Sequence, residues 1–270
     1  MLAKIFLDLT EYPWFRRTVW KPIYNHLAKK FPYENWVFMN YGFDPEDERQ
    51  RPNLLPQDEA ERYPAQLYHF LATQTDIEGK LVLEVGSGRG GGASYIARYL
   101  KPAQITGMDI AGNAVAFANK RHVSPNLRYV EGNAEQIPFP DASFDVVINV
   151  ESSHAYGSVE NFFSEVFRVL KPGGIFLITD MRDQNNMGRF REQLLASGLK
   201  LNSERVINAN ITKAIETEDD LKRARIREAI PARYVKFFEE FGGVKGSQIH
   251  KDISSGKLVY FWFVMLKPTA

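Results

Sequence analysis

Four groups of residues carry the chemistry legible in this chain. Glu84 stands two positions before Gly86, Gly88, Gly90, Gly91 and Gly92, five glycines within seven residues. Glycine lacks a Cβ and tolerates positive φ, so such a turn lets the main chain approach a bound molecule closely. The helix N-terminus behind it offers unpaired N–H groups. A carboxylate at Glu84 suits a ligand with a cationic amine and would repel a pyrophosphate. Asp109 ends the next apolar run, where an acid can accept hydrogen bonds from both hydroxyls of a ribose; its plainer role is to cap the following helix. Gly132-Asn133-Ala134-Glu135 puts a polar residue and a carboxylate within reach of an adenine ring and its exocyclic amine. His154 and Asp180 each follow or end an apolar run. An imidazole in that position suits general-base catalysis, and an acid beside it would hold the correct tautomer and stabilise the charged form. The plainer role of Asp180 is a hydrogen bond to its own loop.

These residues need elements to position them. Leu81–Val85 reads as a short strand, followed by the glycine turn and a helix from Ala93 to Leu100. Gln104–Ile110, Leu127–Val130, Phe144–Val150 and Gly174–Asp180 read as further strands, with a helix at Asn113–Arg121. Val159–Leu170 reads as an amphipathic helix with Phe162, Phe163, Val166, Phe167 and Leu170 turned inward, ended by Lys171-Pro172-Gly173-Gly174. Alternating strands and helices imply a parallel sheet, whose ligands bind at the carboxyl edge of the strands. Asp58–Gln74, Asn185–Ala196 and Tyr234–Phe241 read as helices, and Glu46–Pro56 as a loop. Val244–Ile249 and Leu258–Leu266, joined by Ser254-Ser255-Gly256-Lys257, read as a terminal hairpin. Residues 1–57 are rich in aromatics, with Trp14, Val19, Ile23 and Leu27 able to share a helix face. The expected organisation is an aromatic-rich helical cap at 1–57, a ligand-binding core at 58–198, a helical cap insertion at 199–233, and a C-terminal helix and hairpin at 234–270 that completes the core sheet.

The ordered set E-V-G-S-G-R-G, then Asp109, then G-N-A-E-Q-I-P-F, F-D-V-V and L-K-P-G-G resembles the class I S-adenosylmethionine (SAM) methyltransferases. The stretch Tyr68–Asp76, the run G-G-G-A-S-Y and V-E-S-S-H extend the likeness to phthiotriol dimycocerosate-type and other polyketide O-methyltransferases. The resemblance implies a Rossmann-like α/β fold with a seven-stranded, mostly parallel sheet, an antiparallel C-terminal hairpin strand and a helical cap. It implies SAM as cofactor, held by Glu84, Gly86, Ser87, Gly88, Gly90, Asp109, Ile110, Asn133, Ala134, Glu135 and Asn149. The implied reaction is O-methylation of a polyketide- or lipid-like acceptor, with His154 as base oriented by Asp180 and with Tyr41 and Tyr156 contacting the acceptor. Sugar O-methyltransferases of similar sequence carry a histidine and an aspartate at matching places.

Composition narrows the alternatives. The chain has 270 residues, 44% hydrophobic and 25% charged, with a net charge of +1, so nothing points to nucleic acid or an anionic surface as partner. It has no cysteine, hence no disulfide framework or thiolate metal site. No segment approaches the ~20 apolar residues of a membrane span, and Asp8 and Glu11 break the apolar N-terminus, so a cytoplasmic enzyme is expected. The acceptor would be a hydrophobic small molecule, free or carrier-linked. His26, His69, His122 and His250 form no metal-binding spacing, and no metal is expected. N- or C-methylation of a small hydrophobic acceptor is the nearest alternative. Gly86, Gly88 and Gly91 also fit G-x-G-x-x-G, which leaves a nicotinamide-dependent oxidoreductase as a reading from another class.

Overall fold

The computed structural model describes residues 36–269. The Trp14–Leu27 helix face and the rest of 1–35 lie outside the described residues. The sheet comprises β1 (Leu81–Val85), β2 (Gln104–Asp109), β3 (Leu127–Glu131), β4 (Phe144–Val150), β5 (Leu170–Asp183), β6 (Lys200–Val206) and β7 (Leu258–Leu266), in the order β3-β2-β1-β4-β5-β7-β6. β1 to β5 pair in parallel, and β7 runs antiparallel between β5 and β6. This is the mostly parallel seven-stranded sheet with a reversed C-terminal strand that the resemblance implied.

Helices α1 (Arg62–Ala72), α2 (Gly91–Tyr99), α3 (Gly112–Arg121), α4 (Val159–Val169) and α5 (Met187–Ala196) flank it. Strand side chains alternate between faces, and each face packs its own core. Tyr260, Trp262 and Val264 of β7 join Val82, Leu67 and Ile96 on one side. Phe261, Phe263 and Met265 join Leu83, Phe162, Phe163 and Phe190 on the other. Phe162, Phe163, Val166 and Val169 form the buried stripe of α4, which Ser158 caps by accepting from Asn161 N at 3.2 Å. Burying each such ring contributes about 1.5–3 kcal/mol. The same alternation sends Glu84 toward the α1–α2 face, two residues beyond Val82, while Leu83 and Val85 face α4.

The C-terminal third departs from expectation. Val244–Ile249 is not a strand: after Gly246, Ser247 accepts from His250 N at 3.2 Å and caps α8 (Gln248–Ser254), which buries Ile249 and Ile253 one turn apart. The outer antiparallel neighbour of β7, in the place expected for Val244–Ile249, is β6, at the start of the segment expected to be wholly helical. β6 is an edge strand with mostly exposed polar side chains, so it lacks the apolar alternation that marks a half-buried strand. The long α6 (Asn208–Ala229) and α7 (Ala232–Phe241) follow and lead to α8 and β7. The helix expected from Asp58 begins as a 3-10 turn, Pro56–Glu61, before α1.

Candidate active site

The turn after β1 is shaped by contacts with the protein itself. Gly86 has φ +78°, and a Cβ there would lie 2.3 Å from Ser152 Oγ and 2.7 Å from Tyr156 OH. A Cβ on Gly91 would lie 2.7 Å from the carbonyl of Val37, which accepts a hydrogen bond from Gly91 N at 3.2 Å. The glycines therefore admit two hydroxyls on one side and the strap of residues 36–44 on the other. Arg89 donates to the Trp36 carbonyl at 2.6 Å and stacks 3.7 Å over Phe117, fixing the strap to the turn.

Asp109 joins the turn to the next helix: its Oδ2 accepts from Gly88 N at 2.8 Å and its Oδ1 from Ala111 N at 2.9 Å. This is a local turn and not the helix cap expected as its plainer role, since the N-cap of α3 is Ala111 and no side chain caps that helix. A carboxylate oxygen can accept more than one hydrogen bond, which suits Asp109 to ribose hydroxyls. Ile110 is 46% exposed and lines the cavity beside it, with Ala134 and Glu135. Glu135 Oε1 accepts from Gly157 N at 2.9 Å. Asn133 is not brought to this cavity: it lines a separate shallow depression with Gln136, Glu165 and Arg168. Its Oδ1 accepts from Glu135 N at 3.0 Å, a local turn that aims Glu135. Asn149 lies fully buried beneath the floor, with Nδ2 2.9 Å from the Val85 carbonyl, 2.7 Å from Ser152 Oγ and 3.0 Å from Tyr156 OH. These two residues position others where the sequence suggested direct contact.

Glu84 is fully buried, and its Oε1 accepts from Tyr68 OH at 2.7 Å. Burial, with the charge of Asp109, pushes it up to about 7 against the hydrogen bond from Tyr68. Glu84 Oε2 and Ser87 Oγ are buried without a hydrogen-bond partner. Buried polar atoms are normally paired, so two orphans at one strand end mark a place for a ligand that donates hydrogen bonds. An ammonium group, with three donors and a positive charge, matches the carboxylate.

The candidate base lies across the cavity. His154 Nδ1 is 2.7 Å from Asp180 Oδ1, and His154 N donates to Asp180 Oδ2 at 2.9 Å. Asp180 also accepts from Ser153 Oγ at 2.5 Å, and Arg182 Nη1 stands 3.1 Å from it. Burial alone would raise Asp180; the His154 and Arg182 charges and the hydrogen bonds from His154 and Ser153 outweigh it and hold the carboxyl well below its ordinary range. The His154 side chain is 38% exposed and lines the cavity, while Asp180 is wholly enclosed. That is the geometry of an imidazole with one nitrogen held by a charged acid.

Glu151 is a site residue that reasoning from sequence left without a role. It follows β4 with φ +44°, the left-handed region, which costs a non-glycine residue about 1–3 kcal/mol. Its Oε1 accepts from Tyr41 N at 2.8 Å and from Tyr260 OH. Burial, aided by the charge of Asp180, pushes it up to about 8 against those hydrogen bonds. It clasps the strap to β7 over the end of β4. The only signal for it was the glutamate within V-E-S-S-H, since Tyr41 and Tyr260 lie far from it in sequence. Tyr41 also donates from its hydroxyl to the Phe241 carbonyl at 3.4 Å. Tyr41 and Tyr156 both line the cavity.

The cavity measures about 1830 Å³, well beyond the ~300–1,000 Å³ of a pocket for one small ligand. Phe38, Met39, Val150, Met181, Ile249 and Leu258 contribute apolar wall. No three His, Asp or Glu side chains group as metal ligands, and no helix is long and apolar enough to cross a membrane, among the described residues.

Comparison with known proteins agrees with this geometry. Residues 83–178 match a family profile described as a methyltransferase domain. The chain is 37% identical over 248 residues to a fatty-acid O-methyltransferase of Mycolicibacterium smegmatis, covering 92% of this chain and 89% of that protein. It is 38% identical over 252 residues to a phthiotriol/phenolphthiotriol dimycocerosates methyltransferase of Mycobacterium tuberculosis, covering 93% of each. Among solved structures, geranyl diphosphate C-methyltransferase from Streptomyces coelicolor, in complex with Mg2+, geranyl diphosphate and S-adenosyl-L-homocysteine, superposes with a TM-score of 0.64 at 15% identity, over 90% of this chain and 97% of that one. That likeness is one of fold.

Proposed function

The chain belongs to the SAM-dependent methyltransferases, and from that premise we propose that it methylates a hydroxyl of a polyketide- or lipid-like acceptor, with His154 as general base. The observation that carries this reading is the 2.7 Å contact between His154 Nδ1 and the enclosed, ionised Asp180, on the wall of a cavity that also holds the cofactor residues. Bound at Glu84, Ser87, Asp109, Ile110, Ala134 and Glu135, the cofactor supplies an electrophilic methyl group. Glu84 Oε2 would accept from its ammonium and Asp109 from its ribose hydroxyls. Gly86, Gly88 and Gly90 shape the turn beneath it, Asn133 aims Glu135, and Asn149 ties Ser152 and Tyr156 to the floor.

The protein's part in the reaction is to align the acceptor and take its proton. Fixing a nucleophile close to its target supplies much of the acceleration in such displacements. With Nδ1 donating to Asp180, the basic nitrogen of His154 is Nε2, and Asp180 stabilises the imidazolium that forms when the acceptor hydroxyl gives up its proton. Tyr41, Tyr156 and the apolar wall surround the acceptor chain. The strap at 36–44 and α6 roof the cavity, which supports the proposed division into a core and a cap. A cytoplasmic setting belongs to the same proposal, as the cofactor is a metabolite of the cell interior.

A second reading is esterification of a free fatty acid, which the name of the M. smegmatis relative favours. A carboxylate needs no base. Single-turnover methyl transfer to a matched long-chain alcohol, amine and carboxylic acid separates the cases. Transfer to the alcohol oxygen is the expected result; transfer to the acid or the amine alone overturns the proposal.

A further inference from the structure

Helix α6 places a second polar pair on the cavity wall. Glu218 lines the cavity with its side chain 3% exposed, and its Oε2 has no hydrogen-bond partner. Lys222, one turn further on, also lines the cavity and is 16% exposed. Its Nζ stands 3.7 Å from Glu218 Oε2, beyond hydrogen-bond reach. The neighbouring Arg225 is already committed. Its Nη1 lies 3.1 Å from Glu61 Oε1 and 3.4 Å from Glu218 Oε1, and it donates to the Ala60 carbonyl, tying α6 to the segment before α1.

A mostly buried acceptor and an ammonium that face one cavity as an ion pair at 3.7 Å, too far apart for a hydrogen bond, leave a place for a group that can both accept and donate. A hydroxyl does both: its O–H donates to Glu218 Oε2 while its oxygen accepts from Lys222 Nζ. An anion fits poorly: burial already raises Glu218 and Glu61 beside Lys222, so the site resists further negative charge. We propose that Glu218 and Lys222 form a subsite for a second, uncharged hydroxyl of the acceptor, so that the preferred substrate is a lipid-like polyol and neither a mono-alcohol nor a fatty acid. This rests on the reading that the methylated group is a hydroxyl. Burial raises Glu218 against the pull of Lys222 and Arg225; a hydroxyl serves either protonation state, because it can donate to the carboxylate or accept from the acid.

The test uses long-chain alcohols bearing a second hydroxyl at increasing distance from the first, with the matching mono-alcohol and fatty acid. One spacing is expected to lower KM about tenfold or more against the mono-alcohol, the worth of a hydrogen bond to a charged group. Glu218→Gln and Lys222→Met should each bring the diol-to-mono-alcohol ratio close to one. A wild-type enzyme that treats every diol like the mono-alcohol overturns the subsite, as does a ratio that survives both substitutions. Methylation of the fatty acid with no alcohol turned over would instead defeat the hydroxyl reading. In that event, calorimetric binding of the diols and the mono-alcohol to the protein loaded with S-adenosylhomocysteine still decides the subsite, by the same ratio.

Discussion

On the cofactor side of the cavity, Glu84, the glycine turn and Asp109 come from two adjacent strands and the turns that end them, and main-chain conformation sets the geometry. Gly86, Gly88 and Gly90 all have positive φ, and the Asp109 carboxylate is aimed by two main-chain N–H groups. On the side proposed for the acceptor, contacts are made by side chains from distant segments: Tyr41 and Tyr260 meet at Glu151, and Arg225 reaches Glu61. Each side has a buried glutamate raised by its surroundings, Glu84 to about 7 on one and Glu151 to about 8, with Glu218 also raised, on the other. The difference lies in what remains unsatisfied. Glu84 keeps a buried orphan oxygen, whereas Glu151 already accepts from the strap and from β7. One acid leaves a buried oxygen open to a donor, and the other ties the strap to β7. Chemistry and cofactor binding should therefore fail separately.

The sharpest separation is expected at His154. His154→Ala should lower kcat by about 10²–10⁴, the usual worth of a positioned base, while SAM affinity stays unchanged. Asp180→Asn should fall in the same direction by favouring the wrong tautomer. Single-turnover transfer and SAM calorimetry on each variant read the two quantities. Near-normal transfer by His154→Ala between pH 6 and 9 would join the two sides again and remove the base. The converse variant is Asp109→Ala. It should weaken SAM about tenfold or more, because two ribose hydroxyls lose their acceptor, and leave the acceptor KM at saturating SAM nearly unchanged.

How much of this was open to a reading of the sequence follows the same division. The glycine turn and Asp109 were legible because they sit at strand ends, and strand ends follow from local apolar runs. Glu135 and His154 follow β3 and β4 by four residues, and Asp180 ends the apolar run of β5 although the strand itself continues to Asp183. β6 was missed because an edge strand with exposed Lys200, Glu204 and Arg205 shows no alternation. α8 carried readable signals, Ser247 as cap and Ile249 and Ile253 one turn apart, but Val244–Ile249 is short and sits before a strong apolar strand, which suits a hairpin reading equally. Glu151, Glu218 and Lys222 gained their roles only when segments far apart in sequence came together, and no spacing encodes that.

Glu84 offers a smaller effect with a definite sign. Its carboxyl is raised to about 7 by burial in the protein without ligand, and a cationic amine beside it favours the ionised form. SAM binding should then release a proton below about pH 7, and affinity should rise from pH 6 to pH 8 by up to about tenfold, levelling off above the raised value. Calorimetry in buffers of different ionisation enthalpy measures the proton directly. Glu84→Gln should bind SAM less tightly at pH 8 and lose the pH dependence; a variant that keeps it would move the titration elsewhere. Stability runs the other way. Glu151, raised to about 8 when folded, holds its proton more tightly in the native state than the ordinary ~4.3 of an unfolded glutamate. The stability it contributes is full below that value and lost as pH climbs through about 8. Denaturant unfolding of wild type and Glu151→Gln should show a shallower decline over that interval in the variant, and equal slopes would deny the acid its buried state.

The smallest effect is expected at Asn133, and it bears on where the cofactor side ends. The motif G-N-A-E invites a direct contact from its asparagine to the adenine. In the structure Asn133 faces a different depression and spends its Oδ1 on Glu135 N at 3.0 Å, while Ala134 and Glu135 face the cavity. Asn133→Ala should then remove one exposed local hydrogen bond, worth about 0.5–1.5 kcal/mol at most, and loosen Glu135 without stranding any group on the ligand. SAM affinity should drop by about threefold or less. Asn133→Asp, whose carboxylate still accepts from Glu135 N, should restore the wild-type value. Glu135→Gln keeps the acceptor for Gly157 N and supplies the comparison for a residue that does line the cavity. A loss at Asn133→Ala as large as that at Asp109→Ala, without rescue by Asn133→Asp, would put the asparagine on the ligand and extend the cofactor side to include it.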